Sequence, residues 1–115
     1  MMSRPGDVWL ADLGLAAKTR PIVVISRYDS DPPRSLVVYV PLTTQYRSSR
    51  YEVPLPQLRF LDHKSVANVQ GIGSIPAVRL ERKIGRLPEY ALTEIRDALM
   101  FLLDIQSGSQ NGSVT

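Results

Sequence analysis

Two residues stand where rigid backbone can aim a side chain at a developing negative charge. Arg20 lies where a loop enters the β-branched run Pro21-Ile22-Val23-Val24-Ile25. A guanidinium fixed there presents a planar fork of donors that matches a phosphate. The competing reading is an Arg that pairs a carboxylate and serves only the fold. Thr43 ends a second β-rich run, and its hydroxyl can donate to a phosphate oxygen or orient an attacking hydroxyl. Its plainer reading is a β-branched residue that suits a strand. Beyond it, Tyr46, Arg47 and Arg50 form a basic, aromatic-flanked loop. That pattern fits contact with a nucleic-acid backbone and stacking on bases, and equally a solvated surface.

Other chemistries are weaker. His63 is of the residue type that most often serves as a general base, but it lies in a polar turn and reads as surface. Trp9, in a first strand, suits core or interface better than base stacking. Arg79, Arg82, Lys83 and Arg86 read as a charged surface. With one His, no Cys and no carboxylates at ligand spacing, no metal or other cofactor is expected. The lack of Cys also excludes disulfides and points to a reducing cytoplasm. The formal charge is only +3, yet all but three of the fourteen basic residues are Arg. This tilts the balance toward a nucleic-acid partner without deciding it.

The elements that must position these residues are mostly strands. A chain of 115 residues, 43% of them hydrophobic, predicts one small globular domain. Strands are predicted over residues 6–13, 20–26, 35–42, 51–53, 65–70 and 82–87. Prolines at 54 and 56 confine the fourth to an edge. Turn chemistry places loops at 14–19, 29–33 and 61–64, and Gly71 and Gly73 punctuate the chain. Pro88 opens one helix, whose stripe is Leu92, Ile95, Leu99 and Leu102, widened by Ala91, Ala98 and Leu103. Residues 1–105 are expected to form the domain and 106–115 a disordered tail. No apolar run is long enough for a membrane span, and none near the start resembles a signal peptide.

Five segments in order resemble the MazF/PemK toxin family. Arg4-Pro5-Gly6-Asp7-Val8-Trp9 is similar to its opening strand, and Arg20-Pro21-Ile22-Val23-Val24 to its second, which begins Arg-Pro. Val40-Pro41-Leu42-Thr43-Thr44 resembles the end of its third. Lys64-Ser65-Val66-Ala67-Asn68 is similar to its Asp-Ser-Val segment, with Lys64 for Asp, and Arg82-Lys83-Ile84-Gly85 to the stretch before its last helix. The loop at 14–19 is shorter than the family's, and Gly71-Ile72-Gly73 stands where Gln-Ile-Arg is frequent.

The resemblance implies a mostly β fold with a C-terminal helix (α+β), an SH3-like small barrel of the MazF/CcdB type. It implies a toxin of a type II toxin–antitoxin system that cleaves single-stranded RNA through the substrate's own 2′-hydroxyl, without metal. Arg20 and Thr43 take the catalytic positions, and Lys18, Thr44, Tyr46, Arg47, Arg50 and Gln70 are the expected RNA contacts. Single-stranded RNA, a cognate antitoxin and a second copy of the chain are the implied partners. The alternatives are a degenerate relative without turnover or a CcdB-like binding module, and the Arg20–Thr43 pair speaks against the latter.

Overall fold

The computed structural model describes residues 2–14 and 19–106. All of the expected tail at 106–115 but its first residue, and Lys18 in the short loop, lie outside the described residues.

The strand order is β4-β5-β3-β2-β1-β7, every pair antiparallel, with β6 joined to β3. The strands are β1 Asp7–Asp12, β2 Thr19–Val24, β3 Leu36–Thr43, β4 Glu52–Pro54, β5 Val66–Asn68, β6 Gly73–Pro76 and β7 Leu80–Arg86. One helix, α1 Glu89–Leu102, follows. The mostly β architecture with a C-terminal helix is therefore present, but the expected barrel is not closed. The path ends at β4 on one side and β7 on the other, which among the described residues pair only with β5 and β1. Pro54 stands on that free β4 edge, where a missing N–H costs no ladder bond.

The middle of the sheet is covered on both faces, which explains why β2 reads as a continuous apolar run. Val8, Val23, Val40, Leu42 and Ala67 face a cluster completed by Leu92's helix neighbours Ala91, Ile95 and Leu99. Trp9, Ala11, Ile22, Val24 and Val37 face a second cluster with Ile75 and Leu80. Successive strand residues point to opposite faces, so each strand feeds both clusters in alternation. Trp9 is buried as expected, and its indole Nε1 has no hydrogen-bond partner among the described residues.

Four expectations need correction. The strand expected over 65–70 stops at Asn68, whose side-chain oxygen accepts from Gln70 N at 3.2 Å and opens a 3₁₀ turn, Val69–Gly71. Residues 73–76 form a strand that the glycines concealed. Pro88 caps the helix rather than starting it, its carbonyl accepting from Ala91 and Leu92. Leu103 lies past the helix end and is exposed, so it does not widen the buried stripe. Among the described residues, no helix is long and apolar enough to cross a membrane.

One buried carboxylate ties the start of the chain to its last strand. Asp7 Oδ2 accepts from Arg4 N at 2.9 Å, and Oδ1 accepts from Arg86 Nη1 at 2.8 Å with Lys83 Nζ at 3.3 Å. Burial pushes the Asp7 carboxyl up, but these donors outweigh it and hold the group below its ordinary range. Arg79 pairs with Asp12 at 3.8 Å, so three of the four cations expected at the surface have acidic partners.

Candidate active site

The site lies at the end of the sheet where β2 begins and β3 finishes. The β2–β3 register runs Val24↔Tyr39, Val23↔Val40, Ile22↔Pro41. Continued toward those strand ends, it sets Arg20 across from Thr43 on the same face. Cross-strand neighbours of this kind have Cβ atoms about 5 Å apart in a regular ladder. Arg20 is exposed, and Ala11 of β1 flanks it on the other side. Its backbone is thus held in a sheet while its guanidinium reaches solvent.

Thr43 lines a cleft of about 370 Å³ together with Gln45, Arg47, Glu52, Asn68 and Gln70. The Thr43 hydroxyl oxygen accepts from Gln45 N at 3.2 Å, which turns the chain out of the strand. The alternation of side chains then sends Thr44 to the opposite face, into a different cleft with Arg82 and His63. The expected RNA contacts therefore do not form one group. Thr43, Arg47 and Gln70 come together. Thr44 lies apart from them. Tyr46 is exposed beside the site. The Arg50 guanidinium stacks on the Phe101 ring of α1, 3.7 Å from its centroid.

Sequence reasoning passed over the residue that shapes this rim. Glu52 accepts from Arg47 N at 3.2 Å and 3.1 Å, from Ser49 N at 3.0 Å and from Ser49 Oγ at 2.8 Å. Ser48, between those two amides, adopts a left-handed φ of 57°, which lets the neighbouring N–H groups converge on one anion. The Ser49 hydroxyl is the main cause that holds the Glu52 carboxyl below its ordinary range; slight burial opposes it, and the two amides add to it. Glu52 is thus a fixed anion whose lone pairs are engaged by the loop. The signal was present: Ser49-Arg50-Tyr51-Glu52 is the Ser-x-x-Glu pattern of reciprocal capping, here used in a loop instead of at a helix start. Asn68, also overlooked, contributes through the turn that presents Gln70.

Among the described residues, no group of three or more His, Cys, Asp or Glu is placed to hold a metal ion.

An exposed cation at the start of β2 and a hydroxyl at the end of β3, beside a rim of amides and a further Arg, mark one end of the antiparallel sheet of a small β domain. The chain belongs to the PemK-like, MazF-like toxin family of type II toxin–antitoxin systems, whose profile matches residues 4–103. It is 29% identical over 100 residues to the probable endoribonuclease MazF5 of Mycobacterium tuberculosis, covering 86% of this chain and 91% of that protein. It is 33% identical over 70 residues to the endoribonuclease MazF3 of the same species, covering 61% of this chain and 68% of that protein. Its fold is similar to that of the M. tuberculosis toxin MazF-mt6, with a TM-score of 0.77 at 27% identity over 88% of this chain and 99% of that one. A mycobacterial endoribonuclease solved in complex with its cognate antitoxin shares the fold at a TM-score of 0.78, with 23% identity over 91% and 98% of the two chains.

Proposed function

We propose that this toxin is an endoribonuclease that cuts single-stranded RNA by transphosphorylation. What supports this reading is an exposed Arg20 at the start of β2 and a half-buried Thr43 at the end of the neighbouring β3, which the β2–β3 register brings to the same end of the sheet. Relatives named as endoribonucleases support the substrate class. In the proposed step the substrate's 2′-oxygen attacks the adjacent phosphorus and the bond to the 5′-oxygen breaks. The 2′-hydroxyl proton leaves, and a proton reaches the departing 5′-oxygen. The products are a 2′,3′-cyclic phosphate and a 5′-hydroxyl. The Arg20 guanidinium balances charge on the phosphorane oxygens, a service that preorganised donors perform best. A guanidinium holds its proton too tightly to serve as a proton carrier. Thr43 donates to a phosphate oxygen or holds the 2′-hydroxyl in line. Arg47 and Gln70 hold the flanking backbone, with Tyr46 as a stacking surface and Lys18 as a further cation.

The chemistry uses the substrate's own nucleophile and calls for no metal. A cognate antitoxin is the proposed restraint, in line with the relatives solved as such complexes. The proposed active form is a homodimer in the cytoplasm. The exposed Leu103 and Ile105 at the end of α1 offer apolar surface for a second copy.

The test is incubation of purified protein with long single-stranded RNA in EDTA, followed by mapping of the product ends. Cleavage leaving cyclic phosphate or its 3′-phosphate is expected. Strict dependence on added divalent metal, or 3′-hydroxyl ends, would sink the mechanism.

A further inference from the structure

The end of the sheet remote from Thr43 carries a second concentration of guanidinium groups. Arg4, Arg27, Arg86 and Arg96 line one open cleft of about 360 Å³ with Tyr28 and Glu89. They come from the segment before β1, the loop after β2, the end of β7 and the exposed side of α1. No two of them are near in sequence, so the fold has gathered them. The β3 strand, Leu36–Thr43, separates this end from the candidate active site by about 25 Å at the usual rise per residue.

The charges are unequally spoken for. Arg86 is engaged by Asp7 at 2.8 Å and by Glu89 at 3.5 Å. Arg4, Arg27 and Arg96 have no acidic side chain within 4.0 Å among the described residues. Three arginines sharing one cleft repel each other, so an anion bound between them relieves a cost that the free protein carries. The position of Arg4 is fixed, because its own N–H is held by Asp7 and its guanidinium lies 5.7 Å from the centre of the Tyr28 ring. Tyr28 remains 38% exposed, leaving a flat aromatic surface beside the cations.

We propose that this cleft is an accessory binding site for single-stranded RNA, taking backbone phosphates on Arg4, Arg27 and Arg96 and a base on Tyr28. The proposal rests on the RNA substrate proposed above and extends it to a second contact on the same strand. Guanidinium planes next to an accessible ring are the combination that grips an unpaired strand without reading its sequence. An acidic peptide would use the charge, but it would leave unused the part of the ring that Arg4 does not cover. An RNA long enough to reach both ends of the sheet is held twice, so the second contact raises affinity by effective concentration.

The experiment uses long and short 2′-O-methyl oligouridines, whose blocked 2′-oxygens prevent cleavage. Their affinities are measured across a range of salt. The long strand is expected to bind tighter than the short one. Arg27→Ala/Arg96→Ala should weaken the long strand about tenfold and reduce its log–log salt slope by roughly 1.4, at about 0.7 for each phosphate no longer neutralised. The short strand, and cleavage of a short unmodified RNA, should be unchanged, which also shows that the variant is folded. Tyr28→Leu should weaken the long strand at constant salt slope. An unaltered affinity and slope for the long strand in the double variant would overturn the proposal while leaving cleavage intact. So would a change confined to antitoxin binding or to oligomeric mass. If the wild-type protein neither binds nor cleaves RNA, the substrate assignment fails first and this proposal with it.

Discussion

The two ends of the sheet each gather donors around one carboxylate, at opposite depths. Asp7 is 2% exposed and joins Arg4, Lys83 and Arg86, which lie at both extremes of the folded chain. Glu52 is near the surface and collects donors from Arg47 and Ser49, a few residues away. Both carboxyls are held below their ordinary range, yet the consequences differ. A buried anion that joins distant segments belongs to the fold, because its loss strands its partners. A solvated anion that organises its own loop sets only the shape of that loop. The Asp7 end thus carries stability, and the Thr43 end is free to present Arg20, Arg47 and Gln70.

The sharpest way to break this contrast is at Arg20. Arg20→Ala is expected to lower cleavage by about 10²–10³-fold, the usual cost of one preorganised donor, with the melting temperature unchanged. Arg20→Lys should recover little, since a point charge does not reproduce the planar fork. Thr43→Ser should keep much of the activity, while Thr43→Val should lose it. Combined losses at the two positions should fall well short of additive if both act on one phosphate. Full cleavage by a stably folded Arg20→Ala protein would remove catalysis from this end of the sheet.

Asp7→Asn tests the other end and should show the reverse. Stability is expected to fall by about 2 kcal/mol, the scale of hydrogen bonds to a charged group, with cleavage retained below the melting transition. The carboxyl pKa is depressed on folding, so its contribution is complete above the unfolded value of about 4 and fades as the pH drops through the lower folded value. Denaturant titrations at neutral pH should separate wild type and variant clearly, and in strong acid the curves should converge. A gap that persists unchanged into acid would mean that the ion pairs are not its source.

Glu52→Gln should have the smallest effect. Size is retained and charge is lost, so the amides of Arg47 and Ser49 should exchange faster with solvent while the global melt stays in place. Cleavage should drop only several-fold, because the rim loosens and Arg20 and Thr43 remain. A loss as large as that of Arg20→Ala would move Glu52 from shaping the loop to direct participation in the reaction.

Elements whose pattern matched their burial were legible in the sequence. The β2 run reads as buried because both its faces are covered, and the stripe from Ala91 to Leu99 reads as helix because one face alone is covered. β6 was not legible, since two glycines and Pro76 surround its single buried side chain, Ile75. Those glycines answer to neighbours distant in sequence. A Cβ on Gly71 would lie 2.6 Å from the Pro41 ring, and one on Gly73 would lie 2.9 Å from the Tyr39 hydroxyl. Arg20 and Thr43 are singled out by their places at strand ends and by the family resemblance, and the structure sets them at the same end of the sheet. Strand alternation in the sequence already sends Thr44 to the face opposite Thr43, but it did not reveal that Arg50 would be occupied by Phe101, because that depends on how the loop closes onto α1.

The position of β1 also bears on the order in which the protein is made. β1 precedes the other described strands, pairs on one side with β2, and meets its other neighbour only in β7, the last of them. A growing chain lacking Leu80–Arg86 has an open strand edge and an Asp7 without its two cations. Pairing between such distant segments is the slow, late kind. For a protein proposed to cut RNA, this timing delays the nuclease: the sheet that carries its site cannot be completed until Leu80–Arg86 has been made and has reached β1.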